Sequence, residues 1–304
     1  MVGLKLGDTK IKQYHLHKDE PDKVQFEIYS LKEYLEESVG HLYPHRHSFY
    51  QIIWFISGKG KHYVDFNEYE VKENSLFFVS KGQIHYFDNN SYEGCIIHFN
   101  ESFVAEDENY INIFLNHNIF HSFEKEPFFT INEQDTKEFH NIVNQLQAEM
   151  WVTSQFAHAE YLKHLLHLFL ILIQRFGVKR DCDGLSMNNP SHTYFVRFRK
   201  LLEENYHAIH TVNDYAGLLN ISSKTLTNCT KEISSQTPLE IINDRILLEA
   251  RRLLAYSDKN VNEIGFDLGF EDPSYFAKFF KRQMKMLPRD FRKLNSSISE
   301  KLIF

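Results

Sequence analysis

The period of the hydrophobic positions changes along the chain, and each change predicts a different kind of element. Between Val24 and about Ile131, apolar residues gather in short β-branched and aromatic runs, such as YQIIWFI (50–56) and LFFV (76–79), punctuated by Gly58, Gly60 and Gly82. Runs of this length between turn residues predict strands. Ser57-Gly58-Lys59-Gly60, between IIWFI and HYVDF, predicts a hairpin turn, because glycine tolerates the positive φ such turns need. Several short strands in succession predict an antiparallel sandwich or barrel.

From Asn132 to about Phe176 the spacing becomes helical. Phe139, Ile142, Val143 and Leu146 form one stripe, and Phe156, Leu162, Leu165, Leu166, Phe169 and Ile173 a second. Thr153-Ser154 divides the stretch into two helices. Leu168, Leu170 and Leu172 make the second apolar on more than one face, which leaves surface for a second copy of the chain. Gly177–Ser191 (GVKRDCDGLSMNNPS) is polar and aperiodic, the composition of a linker. The most apolar stretch, Leu165–Ile173, is far shorter than the roughly 20 residues that span a bilayer.

Beyond the linker the pattern is helical and clearly punctuated. Tyr194–Tyr206 is expected to be a first helix. Thr211–Asp214 forms a T-x-x-D cap ahead of Tyr215, Leu218 and Leu219, and Asn220–Ser222 turns into Lys224–Glu232. Thr237-Pro238 opens a long helix to about Tyr256. A short helix follows over Asp258–Leu268, then a Gly269-Phe270 turn, an Asp272-Pro273 cap with a helix over Ser274–Lys285, and a last piece after Leu287-Pro288. No repeat of 20–50 residues and no low-complexity tract is apparent.

Charge sharpens this division. The 304 residues carry 34 Lys and Arg against 41 Asp and Glu, a net of −7. An acidic chain argues against a nucleic-acid partner if its charge is spread evenly. It is not: residues 1–191 hold 17 basic and 27 acidic side chains, and residues 192–304 hold 17 basic and 14 acidic. Cys95, Cys182 and Cys229 are distant and odd in number, so neither a zinc knuckle nor a disulfide framework is supported and a reducing, cytoplasmic setting is expected. Met1–Asp8 lacks the basic and apolar regions of a signal peptide.

In the basic part, a short helix, a tight turn and a second helix recur at Val212–Glu232 and Val261–Lys285. Helix-turn-helix units of this form set the second helix in the DNA major groove. Lys224, Thr227, Asn228 and Lys231 give the first such helix a polar face able to meet base edges and phosphates. In the second, Phe276, Phe279 and Phe280 make an inward stripe, while Ser274, Tyr275, Lys278, Lys281, Arg282 and Lys285 make an outward, strongly basic face. A lone lysine-rich face is usually only solvated; two such units in the one basic region carry more weight.

Residues 261–292, VNEIGFDLGFEDPSYFAKFFKRQMKMLPRDFR, closely resemble the signature of the AraC/XylS family of transcription regulators, through Ile264, Gly269-Phe270, Pro273, Phe276, Phe280-Lys281-Arg282, Pro288, Phe291 and Arg292. Met286, Leu287 and Phe291 depart mildly from the pattern. The resemblance extends over about residues 194–294 and implies two helix-turn-helix subdomains bridged by a helix at about Pro238–Tyr256. It implies base reading by Lys224, Thr227 and Asn228 in one recognition helix and by Ser274, Tyr275 and Lys278 in the other. The two helices would enter successive major grooves about one turn (~34 Å) apart.

Upstream, Pro44-His45-Arg46-His47 precedes the YQIIWFI run, and Ser80-Lys81-Gly82-Gln83-Ile84-His85 follows LFFV. On a strand His45 and His47 share one side, with Gln51, Ile53 and Phe55 in the same parity and Arg46 in the other. The pattern is similar to the cupin barrel, whose metal-binding members use H-x-H, a nearby carboxylate and a later His. His45, His47 and His85 match; Gln51 stands where the carboxylate is usual, which makes a poorer site for Fe or Mn. Sensory domains of AraC-like regulators resemble this barrel and generally hold a small organic effector. Three readings of the histidines stand: effector contacts, a metal site, or packed rings. His62 and His98 are further candidates, and Phe49, Phe55, Phe77 and Phe78 are candidate pocket walls.

The sequence thus predicts an α+β chain of two domains. Residues 1–176 would form an antiparallel cupin-like β-barrel with appended helices, for effector binding and dimerisation. Residues 177–191 would be a linker, and 192–304 an all-α domain with two helix-turn-helix subdomains. The expected function is an effector-responsive transcription regulator, an activator of nearby genes, with effector contacts from His45, His47, Gln51 and His85. Its expected partners are double-stranded DNA, a small molecule, a second copy of itself and RNA polymerase, with no membrane, no cofactor and no bound metal. The alternative is a metal-dependent cupin enzyme, an oxygenase or isomerase, in the N-terminal barrel.

Overall fold

The computed structural model describes residues 11–20, 22–104, 120, 126–152, 154–177 and 190–303. The chain divides into two compact units, one of Gln13–Leu185 and one that contains Ser186–Phe304.

Among its described residues the first unit holds ten strands: β1 (Lys12–Tyr14), β2 (Phe26–Ser30), β3 (His45–His47), β4 (Tyr50–Ser57), β5 (Gly60–Val64), β6 (Asn67–Val71), β7 (Ser75–Val79), β8 (Ile84–Phe87), β9 (Glu93–Phe99) and β10 (Phe128–Thr130). Four helices accompany them among the described residues: α1 (Leu31–Glu37), α2 (Glu101–Val104), α3 (Thr136–Met150) and α4 (His158–Gly177). The strands form two five-stranded sheets, in the orders β1-β3-β8-β5-β6 and β10-β7-β4-β9-β2. The expected barrel is therefore not closed. Closure needs a continuous ladder between edge strands, and these edges are strands of only three to five residues.

The period-2 alternation of β4, β7 and β9 explains their unbroken apolar runs, since both faces of this sheet are covered. Ile52, Trp54, Leu76, Phe78, Cys95 and Ile97 pack with Phe139, Leu146, Leu166 and Phe169 of α3 and α4. The opposite parity, Ile53, Phe55, Phe77, Val79 and Ile96, packs with Val71 and Phe87 of the other sheet. Phe78 thus belongs to the helix-covered face and is not a wall between the sheets, whereas Phe55 and Phe77 are inside. The expected hairpin at Ser57–Gly60 is also corrected: β4 and β5 lie in different sheets, so the turn crosses between layers. The hairpin next to it joins β5 to β6 through Asp65-Phe66, with Asp65 at φ 53°. Phe156, counted in the second helical stripe, lies before α4 and is fully exposed; within α4, Leu170 and Leu172 are buried and Leu168 is half exposed.

The second unit holds α5 (Pro190–Asn205), α6 (Val212–Leu218), α7 (Ser223–Ser234), α8 (Pro238–Tyr256), α9 (Val261–Asp267), α10 (Pro273–Met284) and α11 (Pro288–Ile303). Helix α5 begins four residues before the expected Tyr194, with Pro in its first turn. Residues 178–189 of the expected linker lie outside the described residues. Caps fix the other starts: Thr211 Oγ1 accepts from Asp214 N, Thr237 and Glu240 form a capping box, and so do Asn260 and Glu263. The Asn260 cap places α9 at Val261 rather than at Asp258.

The two helix-turn-helix copies expected from the sequence repeat at one fixed offset. Positions 222–240 and 272–290 have the same sequence of buried, half-buried and exposed sites at an offset of 50. Each recognition helix, α7 and α10, ends on a left-handed residue, Ser235 (φ 63°) and Lys285 (φ 59°), three positions before a helix-opening proline. Met286 therefore leaves the turn geometry of the second copy the same as that of the first. The signature residues have mechanical reasons. Gly269 sits at φ 81°, where a Cβ would come within 2.5 Å of the His207 carbonyl oxygen. Arg292 donates from Nε to Leu254 O (3.0 Å) and from Nη2 to Lys259 O (2.5 Å), tying α11 to the end of α8.

Candidate functional site

Two regions collect the predicted site residues, one in each unit. In the helical unit, Leu226 and Cys229 of α7 and Phe276, Phe279 and Phe280 of α10 turn inward and are buried. Geometry then forces the intervening positions outward. Lys224, Asn228 and Lys231 are exposed on α7, and Ser274, Tyr275, Lys278, Lys281 and Arg282 on α10. The offset of 50 makes Lys224 and Ser274, Asn228 and Lys278, and Lys231 and Lys281 equivalent.

Thr227 is placed differently from the rest. It is half-buried and its Oγ1 donates to Ser223 O at 2.8 Å, so its hydroxyl hydrogen is spent on the helix backbone. Its equivalent is Ala277. The exposed threonine on that helix is Thr225, the counterpart of Tyr275, which the sequence reading passed over. The offset between the two helix starts is the signal that identifies it. Around Tyr275, which is 66% exposed, Lys278 Nζ stands 5.5 Å from the ring centre. Asp272 caps α10 through Ser274 N at 2.7 Å, and those hydrogen bonds from Ser274 hold its carboxyl below the ordinary range. The outward side of α10 is thus cationic with one exposed aromatic ring, a combination that fits phosphates and base edges.

In the sheet unit, His45, His47, Gln51 and His85 converge. All four are at most 1% exposed. Strand pairing places them: His45 lies opposite His85 across β3 and β8, and Gln51 lies opposite His98 across β4 and β9. His45 Nδ1 donates to Tyr43 O at 2.8 Å. His85 meets His47 through the two Nε2 atoms at 2.8 Å and His62 Nε2 through its own Nδ1 at 3.1 Å. Gln51 Nε2 donates to His98 Nε2 at 2.7 Å. Arg46, of opposite parity, is buried as well.

The cluster is larger than the motif. His62 and His98 belong to it by these hydrogen bonds, and His41 joins through rings, 4.0 Å from Tyr34 and 5.4 Å from His45. Tyr14 packs against His41, His45 and His47 at 5.3–5.6 Å. His41 sits in a short 3-10 turn, Val39–Leu42, whose residues have no strand period to announce their direction. Phe49 flanks His47 and His98 at 4.5 and 4.7 Å. Burial keeps four of the rings neutral: desolvation first, and neighbouring imidazoles second, push His62 and His98 down to about 3 and His47 and His85 well below the usual range. Neutral imidazoles offer one donor and one acceptor each. Such a group can hydrogen-bond a polar effector or present lone pairs to a cation. One ring nitrogen from each of His45, His47 and His85 falls within 4.8 Å of the others, and no carboxylate joins this group among the described residues.

Comparison with known proteins agrees with this division. Residues 35–170 match the family model for the AraC-like ligand binding domain, and residues 215–294 match that for a helix-turn-helix domain. The HTH-type transcriptional activator RhaS of Klebsiella pneumoniae is 27% identical over 168 residues, covering 55% of this chain and 58% of that protein. The RhaS of Enterobacter sp. is 23% identical over 252 residues, covering 82% of this chain and 86% of the other. The match thus spans little more than half of the first relative and most of the second. The crystal structure of unsaturated fatty acid-bound wild-type ToxT from Vibrio cholerae strain SCE256 is similar at 14% identity and a TM-score of 0.38, covering 88% of this chain and 91% of that one. The relatives are transcription regulators, so they give no support to an enzyme in the N-terminal unit. The two family matches together take in more than two thirds of the sequence, and the chain belongs to the AraC/XylS family of transcription regulators.

Proposed function

We propose that this chain is a sequence-specific DNA-binding regulator whose N-terminal domain responds to a small molecule and which activates nearby genes. The observation that carries the reading is the repeated outward face of α7 and α10, with the same burial pattern at an offset of 50. The proposed parts are an effector-binding and dimerisation domain over 1–176, a linker over 177–191 and a DNA-binding domain over 192–304. Trp151, Phe156, Tyr161 and Leu168 support the dimer, because they leave large apolar side chains exposed around the start of α4 and along it. Contact with RNA polymerase and a cytoplasmic location complete the reading. No helix among the described residues is long and apolar enough to cross a membrane. A regulator of this kind works only if the effector favours one arrangement of the DNA-binding units over another.

Alanine variants of the full chain test the DNA face by gel shift on a duplex enriched from a random pool. Tyr275→Ala and Asn228→Ala are each expected to weaken binding by about 1–3 kcal/mol, roughly 5- to 150-fold, if they meet base edges. Lys281→Ala is expected to lower the salt dependence by about one ion with little change in sequence preference. Thr227→Ala is expected to stay within about twofold, since its hydroxyl is already engaged by Ser223 O. Equal effects at all four positions would contradict the assignment.

A further inference from the structure

We propose that His45, His47 and His85 bind one divalent d-block cation of the zinc class, with His62 as the residue that positions His85. The site deepens the reading of the N-terminal domain as effector-binding, and rests on that reading only for its regulatory consequence.

Three observations carry it. The first is convergence: one nitrogen from each ring lies within 4.8 Å of the other two, and the Nε2 atoms of His47 and His85 are 2.8 Å apart. Two nitrogens bound to one ion at about 2.0–2.1 Å sit roughly 3.0–3.4 Å apart, so a small outward shift of either ring admits the ion. The second is tautomer control. His45 Nδ1 faces a carbonyl oxygen, Tyr43 O at 2.8 Å, which can only accept; the proton is therefore on Nδ1 and the lone pair on Nε2. For His85, Nδ1 lies 3.1 Å from His62 Nε2; when it donates there its lone pair is on Nε2, toward His47, whose own Nε2 proton must move to Nδ1 for that ring to ligate. Ligating imidazoles are held in this way by an acceptor on the outer nitrogen. The third is the donor set. Three neutral imidazoles suit Zn²⁺, Co²⁺, Ni²⁺, Cu²⁺ or Fe²⁺, whereas Mg²⁺ and Ca²⁺ need oxygen ligands that the cluster lacks among the described residues. Three protein ligands leave a further coordination position for water or an oxygen donor of a small molecule.

The test uses the full-length protein, stripped with a chelator and titrated with Co²⁺ while its visible absorption is recorded. The expected result is one Co²⁺ per chain, displaced by one Zn²⁺ and not by Mg²⁺. His85→Gln and His47→Gln should each lose Co²⁺ affinity by at least 100-fold. His62→Phe should weaken it about 10- to 100-fold with the stoichiometry retained, which distinguishes a positioning role from a ligand. Far-ultraviolet circular dichroism checks that each variant is folded. Failure of the folded wild-type chain to take up stoichiometric Co²⁺ or Zn²⁺ overturns the site, whatever the variants do. In that case a DNA response to an organic effector would leave the regulator reading intact. Stoichiometric metal uptake with unchanged DNA affinity would uphold the site and remove metal from the regulatory signal.

Discussion

Replacing Arg245 by alanine is expected to cost the helical unit about 3–5 kcal/mol, the range for breaking a buried ion pair by removing one partner. Arg245 is 5% exposed and sits in α8, the helix that bridges the two helix-turn-helix copies. Its Nε donates to both carboxylate oxygens of Glu203 at 3.0 and 2.9 Å, and its Nη1 donates to Glu249 at 3.1 Å. The guanidinium also lies 3.7 Å from the ring centre of Tyr206. Alanine would leave Glu203 and Glu249 partly buried with less positive charge beside them, although Arg252 Nη1 still reaches Glu249 at 3.2 Å. It would also strip the Tyr206 ring of its partner. Lysine should recover only part of the loss, because a point charge cannot reproduce the planar fork. Urea unfolding of the full chain measures this: a loss under 1 kcal/mol in the helical transition would show that the network contributes little.

The sheet unit is expected to lose about 3 kcal/mol between pH 7.5 and pH 5.5 in chelator-treated protein. His62 and His98 are held neutral by burial down to about pH 3, while an unfolded imidazole takes up a proton near pH 6.5. Below 6.5 the unfolded chain therefore binds more protons, so stability is complete above that pH and falls as pH drops toward 3. Each ring contributes roughly 1–2 kcal/mol by pH 5.5. His47 and His85 are shifted in the same direction, and the groups acting on them, His41, His45, His62 and His98, are imidazoles that supply no negative charge to offset the effect. For a unit of this size the loss corresponds to a fall in Tm of roughly 6–12 °C. A melting temperature that is flat or rises across this interval would contradict the neutral, buried cluster.

What the sequence made legible follows the strength of the local signal. Thr211, Thr237 and Asp272 are caps by chemistry alone, and each starts a helix where expected. The runs at β4 and β7 announced strands, but continuous apolarity carries no information on which face meets which layer, and Phe78 was misplaced for that reason. Two glycines at 58 and 60 signal a turn without saying whether the next strand pairs or crosses to another sheet. His45, His47 and His85 were found by spacing. His62 and His98 were candidates too, but their membership shows only through His85 and Gln51, which lie 23 and 47 residues away; His41 lacked a period. Thr227 looked polar and available, and only the structure shows its hydroxyl turned back to Ser223. The two helix-turn-helix copies were legible in the order of elements, but their fixed offset of 50 was not, because the copies share burial more than residues: Cys229 and Thr230 occupy the sites of Phe279 and Phe280, which are buried alike.

The central claim is that α7 and α10 are two copies of one DNA-reading device. Selection from a random duplex pool by the full chain, at about 0.1 M salt, tests it most directly. The predicted result is a bipartite motif whose halves lie about 10 base pairs apart, with one half relaxed by the Tyr275→Ala/Lys278→Ala pair and the other by Lys224→Ala/Asn228→Ala. Recovery of no common motif, or of a single half untouched by either pair, would contradict it.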